Sequence, residues 1–151
     1  MIVLKTNREL ALMREACIIS AGALKLAGEA VEPGVTTAEI DKIAYDYIIK
    51  CGAKPNFLNY NGYPATACIS INDEVIHGIP SKKRVIEEGD IVSIDLGAVL
   101  EGFNGDNAAT FAAGAISSEA KRLCDTTKES LFLGIEKAVA GGRIGDIGYA
   151  V

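Results

Sequence analysis

The chain has 151 residues, 49% of them hydrophobic and 23% charged, with a formal net charge of −5; this is the size and balance of one ordinary globular domain. Lysines and arginines are scattered rather than gathered into a stripe, which excludes a nucleic-acid footprint, and no apolar run approaches the ~20 residues of a membrane span or makes a signal-peptide core. Four cysteines, Cys17, Cys51, Cys68 and Cys124, lie far apart with no C-x-x-C pair, so they read as free thiols of a reducing cytoplasm rather than a zinc site.

In chain order, Thr6-Asn7-Arg8-Glu9 fits a capping box, in which a hydroxyl accepts the N–H three residues on and the glutamate reaches back. Leu10, Met13, Cys17, Ala21, Leu24, Ala27 and Val31 then fall at helical spacing, and Pro33-Gly34 ends the pattern. Thr36-Thr37-Ala38-Glu39 repeats the signal, with Ile40, Ile43, Ala44, Tyr47, Ile48 and Cys51 as the stripe and Gly52 as the stop. Two long helices therefore precede any strand. Asn59 to Pro64 reads as a loop. Ala67 to Asn72 alternates as a short strand, with Ile69 and Ile71 on one face and Cys68, Ser70 and Asn72 on the other. After a basic turn at Ser81-Lys82-Lys83-Arg84, Ile91 to Leu100 is a stronger strand, and Asp106 to Phe111 is its expected partner. Ser117 and Ser118 open a third helix with Ala120, Leu123, Cys124, Leu131, Ile135 and Val139 inward, closed by Gly141-Gly142. Asp146 reads as an N-cap, with Ile147, Ala150 and Val151 beginning another apolar stripe. The chain stops on that first turn, which reads as a truncated polypeptide.

The strand Ile91–Leu100 carries the first chemistry. Val92, Ile94, Leu96, Ala98 and Leu100 make an apolar face, whereas Ser93, Asp95 and Gly97 make the centre of the other face small, polar and roomy. An aspartate there is disfavoured by propensity and costly to bury alone. A hairpin pivoting between Leu100 and Glu101 would set Asp95 directly opposite Asp106, with Cβ atoms ~4.5–5.5 Å apart. Two carboxylates so placed repel unless a cation lies between them, and the spacing suits two cations ~3.5–4 Å apart. Ordinary turn and edge positions accommodate such an aspartate pair equally well. His77, the only histidine, sits in a loop between Gly and Pro residues. A lone histidine is more often structural than catalytic, although loops carry function. Tyr60 and Tyr63 alone read as packing or turn residues.

Together these segments resemble the type I methionine aminopeptidases. The likeness runs through Tyr60-Asn61-Gly62-Tyr63-Pro64, Cys68-Ile69-Ser70-Ile71-Asn72-Asp73-Glu74-Val75-Ile76-His77-Gly78-Ile79-Pro80, Glu88-Gly89-Asp90-Ile91-Val92-Ser93-Ile94-Asp95 and Gly102-Phe103-Asn104-Gly105-Asp106. The resemblance implies an α+β, pita-bread fold: two pseudo-symmetric halves of helices backing a curved antiparallel sheet, with the metal site between them. It implies Asp95 and Asp106 as metal ligands, Asp106 bridging both ions, with His77 near the scissile peptide. It implies Phe57, Tyr60, Tyr63 and Cys68 as the wall of a methionine side-chain pocket, where aromatic faces and a thiol suit a polarisable thioether. Asn104 stands where many members carry a histidine that is not a ligand. The implied cofactors are two divalent ions such as cobalt, manganese, iron or zinc. The implied activity is removal of initiator methionine from nascent chains in the cytoplasm by a monomeric enzyme, with no nucleic-acid or membrane partner.

Residues 1–151 are thus expected to be the N-terminal part of a catalytic domain. The family's remaining histidine and two glutamate ligands come from a second half that lies beyond Val151, so this chain alone is expected to be inactive. Two rivals share the fold: a proline-specific aminopeptidase or prolidase, and a non-catalytic binding module. The segment Asn72 to Pro80 favours the methionine enzymes over the first, and the retained aspartates argue against the second.

Overall fold

Thr6 and Thr36 each start a helix as their sequences dictate. In the computed structural model, which describes residues 3–151, α1 (Asn7–Glu29) and α2 (Thr37–Lys50) begin behind complete capping boxes. Each threonine hydroxyl accepts the glutamate N–H at 3.3 Å, and the threonine's own N–H donates to that carboxylate at 2.7 Å for Glu9 and 2.8 Å for Glu39. Described by contacts, the chain forms two compact units, one ending at Ala115 and the other Ile116–Val151.

The first unit holds a four-stranded antiparallel sheet. Its strands are β1 (Lys54–Pro55), β2 (Ala67–Ile71), β3 (Ile91–Leu100) and β4 (Phe103–Ala112). Because β4 pairs with β3 along its whole length, β1 and β2 share the other edge of β3, end to end. The even positions of β3 from Val92 to Ala98 are fully buried and join Ile69, Ile71, Ile40, Ala44 and Ile48 in one core. Burial at this scale, at roughly 25 cal/mol per Å² of apolar surface, is what holds α1 and α2 to the sheet.

The burial of α1 differs from the expected stripe. Ala16, Ile19, Ser20, Ala23, Leu24 and Ala27 are buried, whereas Leu10, Cys17 and Ala21 are exposed. Leu10, Met13 and Cys17 border a shallow outer groove instead. The reason is close backbone approach. A Cβ on Gly105 would strike the Ala16 carbonyl and the Cys17 nitrogen, and one on Gly28 would strike the Phe111 ring. Between them, Asn107 Nδ2 donates to the buried Ser20 hydroxyl at 2.5 Å. The two elements therefore run in step: four helical residues rise about 6 Å and two strand residues about 6.8 Å. Only small side chains fit along that seam, so the first part of the expected stripe falls outside it, whereas Leu24, Ala27 and Val31 are buried as expected.

Several boundaries also shift. β2 ends at Ile71, and Asn72 turns the chain at φ 56°. Both faces of β2 are buried, because Tyr63 and the following loop cover Cys68 and Ser70. β4 starts at Phe103 rather than Asp106, since the hairpin turn needs only Glu101 and Gly102, at φ 50° and 84°.

The second unit contains α3 (Ser118–Glu136), capped by the Ser117 hydroxyl, and α4 (Ile144–Ala150). Leu123, Leu131, Ile135 and Val139, expected to face inward, are between 55% and 63% exposed; in α3 only Gly134 is buried, against Val151 and Ile147. Two helices alone cannot bury a full apolar stripe. α3 stops at Glu136 rather than at Gly141-Gly142, and Asp146 is not the N-cap of α4. Arg143 occupies that position, and Asp146, on the third helical residue, accepts its N–H at 2.9 Å.

Candidate active site

The hairpin register decides how the two aspartates meet. Asp106 pairs with Gly97, and Asp95 pairs with Ala108. They are therefore diagonal neighbours, two residues out of the directly opposite pairing expected from the sequence, because the turn pivots between Glu101 and Gly102. Their side chains still share one face of the sheet, since a shift of two preserves the pleat. Burial raises the Asp95 carboxyl first; the Asp106 charge and a hydrogen bond to it raise it further, while His77 works the other way.

On that face lies a cavity of about 850 Å³, bordered by all seven residues singled out above: Phe57, Tyr60, Tyr63, Cys68, His77, Asp95 and Asp106. Asn56, Ile79 and Asn104 border it too. Asn56 escaped the sequence reading because β1, at two residues, is too short to alternate. The available clue was Gly97, since glycine inside a strand often marks close approach. Asn56 donates its N–H to the Gly97 carbonyl at 2.9 Å, and its side chain fills the space where a Gly97 Cβ would stand.

The aromatic wall rests on strained asparagines. Tyr60–Gly62 is a single 3-10 turn, entered through Asn59 at φ 68° and containing Asn61 at φ 48°, conformations that asparagine tolerates better than most residues. Tyr60 is 69% exposed at the cavity mouth. Tyr63 reaches inward, its hydroxyl 2.9 Å from the Ala67 carbonyl and 3.3 Å from that of Gly78. Burial, then the neighbouring thiol of Cys68, pushes the phenol well above its ordinary range. Cys68 pairs with Asp95 in register. Burial pushes its thiol up, opposed by the Tyr63 hydrogen bond and reinforced by Asp95, Asp41 and Asp106. A neutral thiol in this position is wall rather than nucleophile.

His77 occupies left-handed backbone at φ 60°, which costs an L-residue about 1–2 kcal/mol. Such strain persists only where the surroundings over-determine it. Its loop is tied down at three places. The Gly78 carbonyl accepts the Ile69 N–H at 2.8 Å, and the Gly78 N–H donates to the Ser70 hydroxyl at 3.1 Å. Upstream, Glu74 accepts the Ile71 N–H at 3.0 Å and pairs with Arg84. Downstream, Ser81 donates its N–H to the fully buried Thr37 hydroxyl at 2.9 Å.

Two carboxylates side by side on a roomy face offer hard oxygen donors suited to a divalent cation, and their mutual repulsion is what a cation would relieve. Among the described residues no three His, Cys, Asp or Glu side chains form a cluster, so the donor set supplied here is a pair.

An α+β sheet backed by helices, with an aspartate pair facing a pocket, defines the class, and comparison supplies the family. Residues 11–151 match the metallopeptidase family M24, and the chain belongs to that family. A methionine aminopeptidase of Clostridium acetobutylicum is 52% identical over 151 residues, covering all of this chain and 60% of the relative. The crystal structure of methionine aminopeptidase from Thermotoga maritima superposes with a TM-score of 0.95 at 38% identity, covering 100% of this chain and 61% of that one. A prolidase from Pyrococcus furiosus matches with a TM-score of 0.85 at 25% identity, over 98% of this chain and 42% of its own. The fold is the pita-bread fold of these enzymes, and the chain spans about 60% of the length of the relatives it matches. Among the described residues no helix is long and apolar enough to cross a membrane.

Proposed function

We propose that residues 1–151 form the N-terminal part of a methionine aminopeptidase catalytic domain, contributing its substrate pocket and two of its metal-binding carboxylates. The observation that carries this is the convergence of Asp95 and Asp106 with the aromatic wall and His77 on one cavity. Asp95 and Asp106 would help to hold two divalent ions of the cobalt, manganese, iron or zinc kind. Bound ions supply Lewis-acid stabilisation of charge developing on the scissile carbonyl. Phe57, Tyr60, Tyr63 and Cys68 take the methionine side chain, whose thioether suits aromatic faces and a neutral thiol. His77 donates a hydrogen bond to the peptide being cut. The substrates are the N-termini of nascent proteins; the free state of the cysteines fits a reducing cytoplasm. With only a pair of donors, the 151 residues by themselves cleave no faster than background.

A chimera tests this: residues 1–151 joined to the part of the Clostridium acetobutylicum relative that follows its matched segment. With manganese or cobalt it is expected to cleave Met-Ala-Ser and spare Ala-Pro-Ser. His77→Ala should lower turnover ~10²–10⁴-fold with metal content retained, and Asp95→Ala should lose metal and activity together. Preference for the proline peptide, or full activity in Asp95→Ala, contradicts the assignment.

A further inference from the structure

The strained His77 needs something to hold it, and one buried hydroxyl is suitably placed. We infer that Ser70 is a positioning residue: by accepting the Gly78 N–H it locks His77 in its left-handed conformation and aims the imidazole at the cavity. This inference rests on the reading that places His77 at the substrate peptide.

Three observations carry it. Ser70 is 5% exposed on β2, in register with Ser93, so its side chain shares the face of Cys68 and Asp95. Its bond to Gly78, at 3.1 Å, is buried. Gly78 also lies so close to β2 that a Cβ there would strike the Ile69 carbonyl. Gly78, the residue immediately after His77, is therefore held at both its N–H, by Ser70, and its C=O, by the Ile69 N–H. Removing the Ser70 oxygen leaves a buried donor unpaired, a penalty as large as the strain at His77 itself, so the loop has reason to let go. Glu74–Arg84 and Thr37–Ser81 anchor the loop's ends; neither touches the His77–Gly78 peptide.

Because the chain has one histidine, a single pair of imidazole carbon-bound proton resonances reports its environment without ambiguity. In the 151-residue chain the wild type is expected to show one sharp pair and a slowly exchanging Gly78 amide. Ser70→Ala should shift and broaden or divide that pair. Gly78 exchange should accelerate at least about tenfold, while the Ile94 and Leu96 amides in the sheet keep their rates. An unchanged imidazole pair in Ser70→Ala overturns the inference. Should that variant fail to fold, the wild type decides: a Gly78 amide exchanging as fast as those of Val75 and Ile76 means that no clamp exists, and one as slow as Ile94 and Leu96 in the sheet upholds it. Failure of the functional reading shows elsewhere, as a chimeric His77→Ala with undiminished turnover, and leaves the imidazole result standing.

Discussion

Cys68 and Cys17 are the same residue type in opposite settings. Cys68 is 5% exposed in the wall of the cavity, and Cys17 stands exposed on the outer side of α1. Alkylation requires access to a thiolate, so iodoacetamide followed by peptide mass mapping is expected to label Cys17 promptly and Cys68 last. Equal rates would mean the cavity wall opens freely. At this scale the site was readable in part. Asp95 declared itself because an aspartate inside an apolar strand needs a reason. Tyr60, Tyr63 and His77 declared nothing alone, since packing explains each of them, and only their order along a known family's pattern singled them out. Asn56 could not be read, because its place depends on the backbone hole at Gly97, which exists only once β1 and β3 have paired.

Asp41 shows how elements are tied together. It stands on α2, and its Oδ1 accepts the N–H groups of Thr66 and Ala67 at 2.9 and 2.8 Å, pinning the start of β2. Both donors are buried, Thr66 at 2% and Ala67 at 0% exposure. Asp41→Ala is expected to cost about 1–3 kcal/mol, the penalty for unpaired buried donors, measured by chemical denaturation. Burial raises the Asp41 carboxyl, with the two backbone bonds opposing. A carboxyl raised on folding stabilises the fold fully below its unfolded value, and that contribution is lost as pH rises through the folded value. Asp41→Asn keeps an acceptor oxygen without charge. It should therefore gain on the wild type as pH moves from acid to neutral, and a difference that does not change with pH would count against this account. Element starts were legible because a capping box is local chemistry. The inward face of α1 was legible only at Leu24 and Ala27, because the rest is set by how closely Gly105 and Gly28 let the helix approach. The hairpin lies between these cases. Moving its pivot by one residue moves the register by two, so the shared face of Asp95 and Asp106 was readable while their exact pairing was not. Glutamate in a left-handed turn position gives none of the warning that Asn-Gly would.

At the scale of the whole molecule, the account rests on two carboxylates that belong together and a chain that spans about 60% of its relatives. The exposure of Leu123, Leu131, Ile135 and Val139 in the second unit has the same origin as the error in reading them inward: an apolar stripe tells that a face is to be covered, not by which segment. The metal pair admits a direct test that needs no turnover. Paramagnetic manganese is titrated into the isotopically labelled 151-residue chain while resonance broadening is followed. The account predicts weak binding in which Asp95, Asp106 and the His77 imidazole broaden first, with the effect abolished in the double variant Asp95→Ala, Asp106→Ala. Broadening that centres on other acidic residues, or that survives unchanged in the double variant, would contradict it.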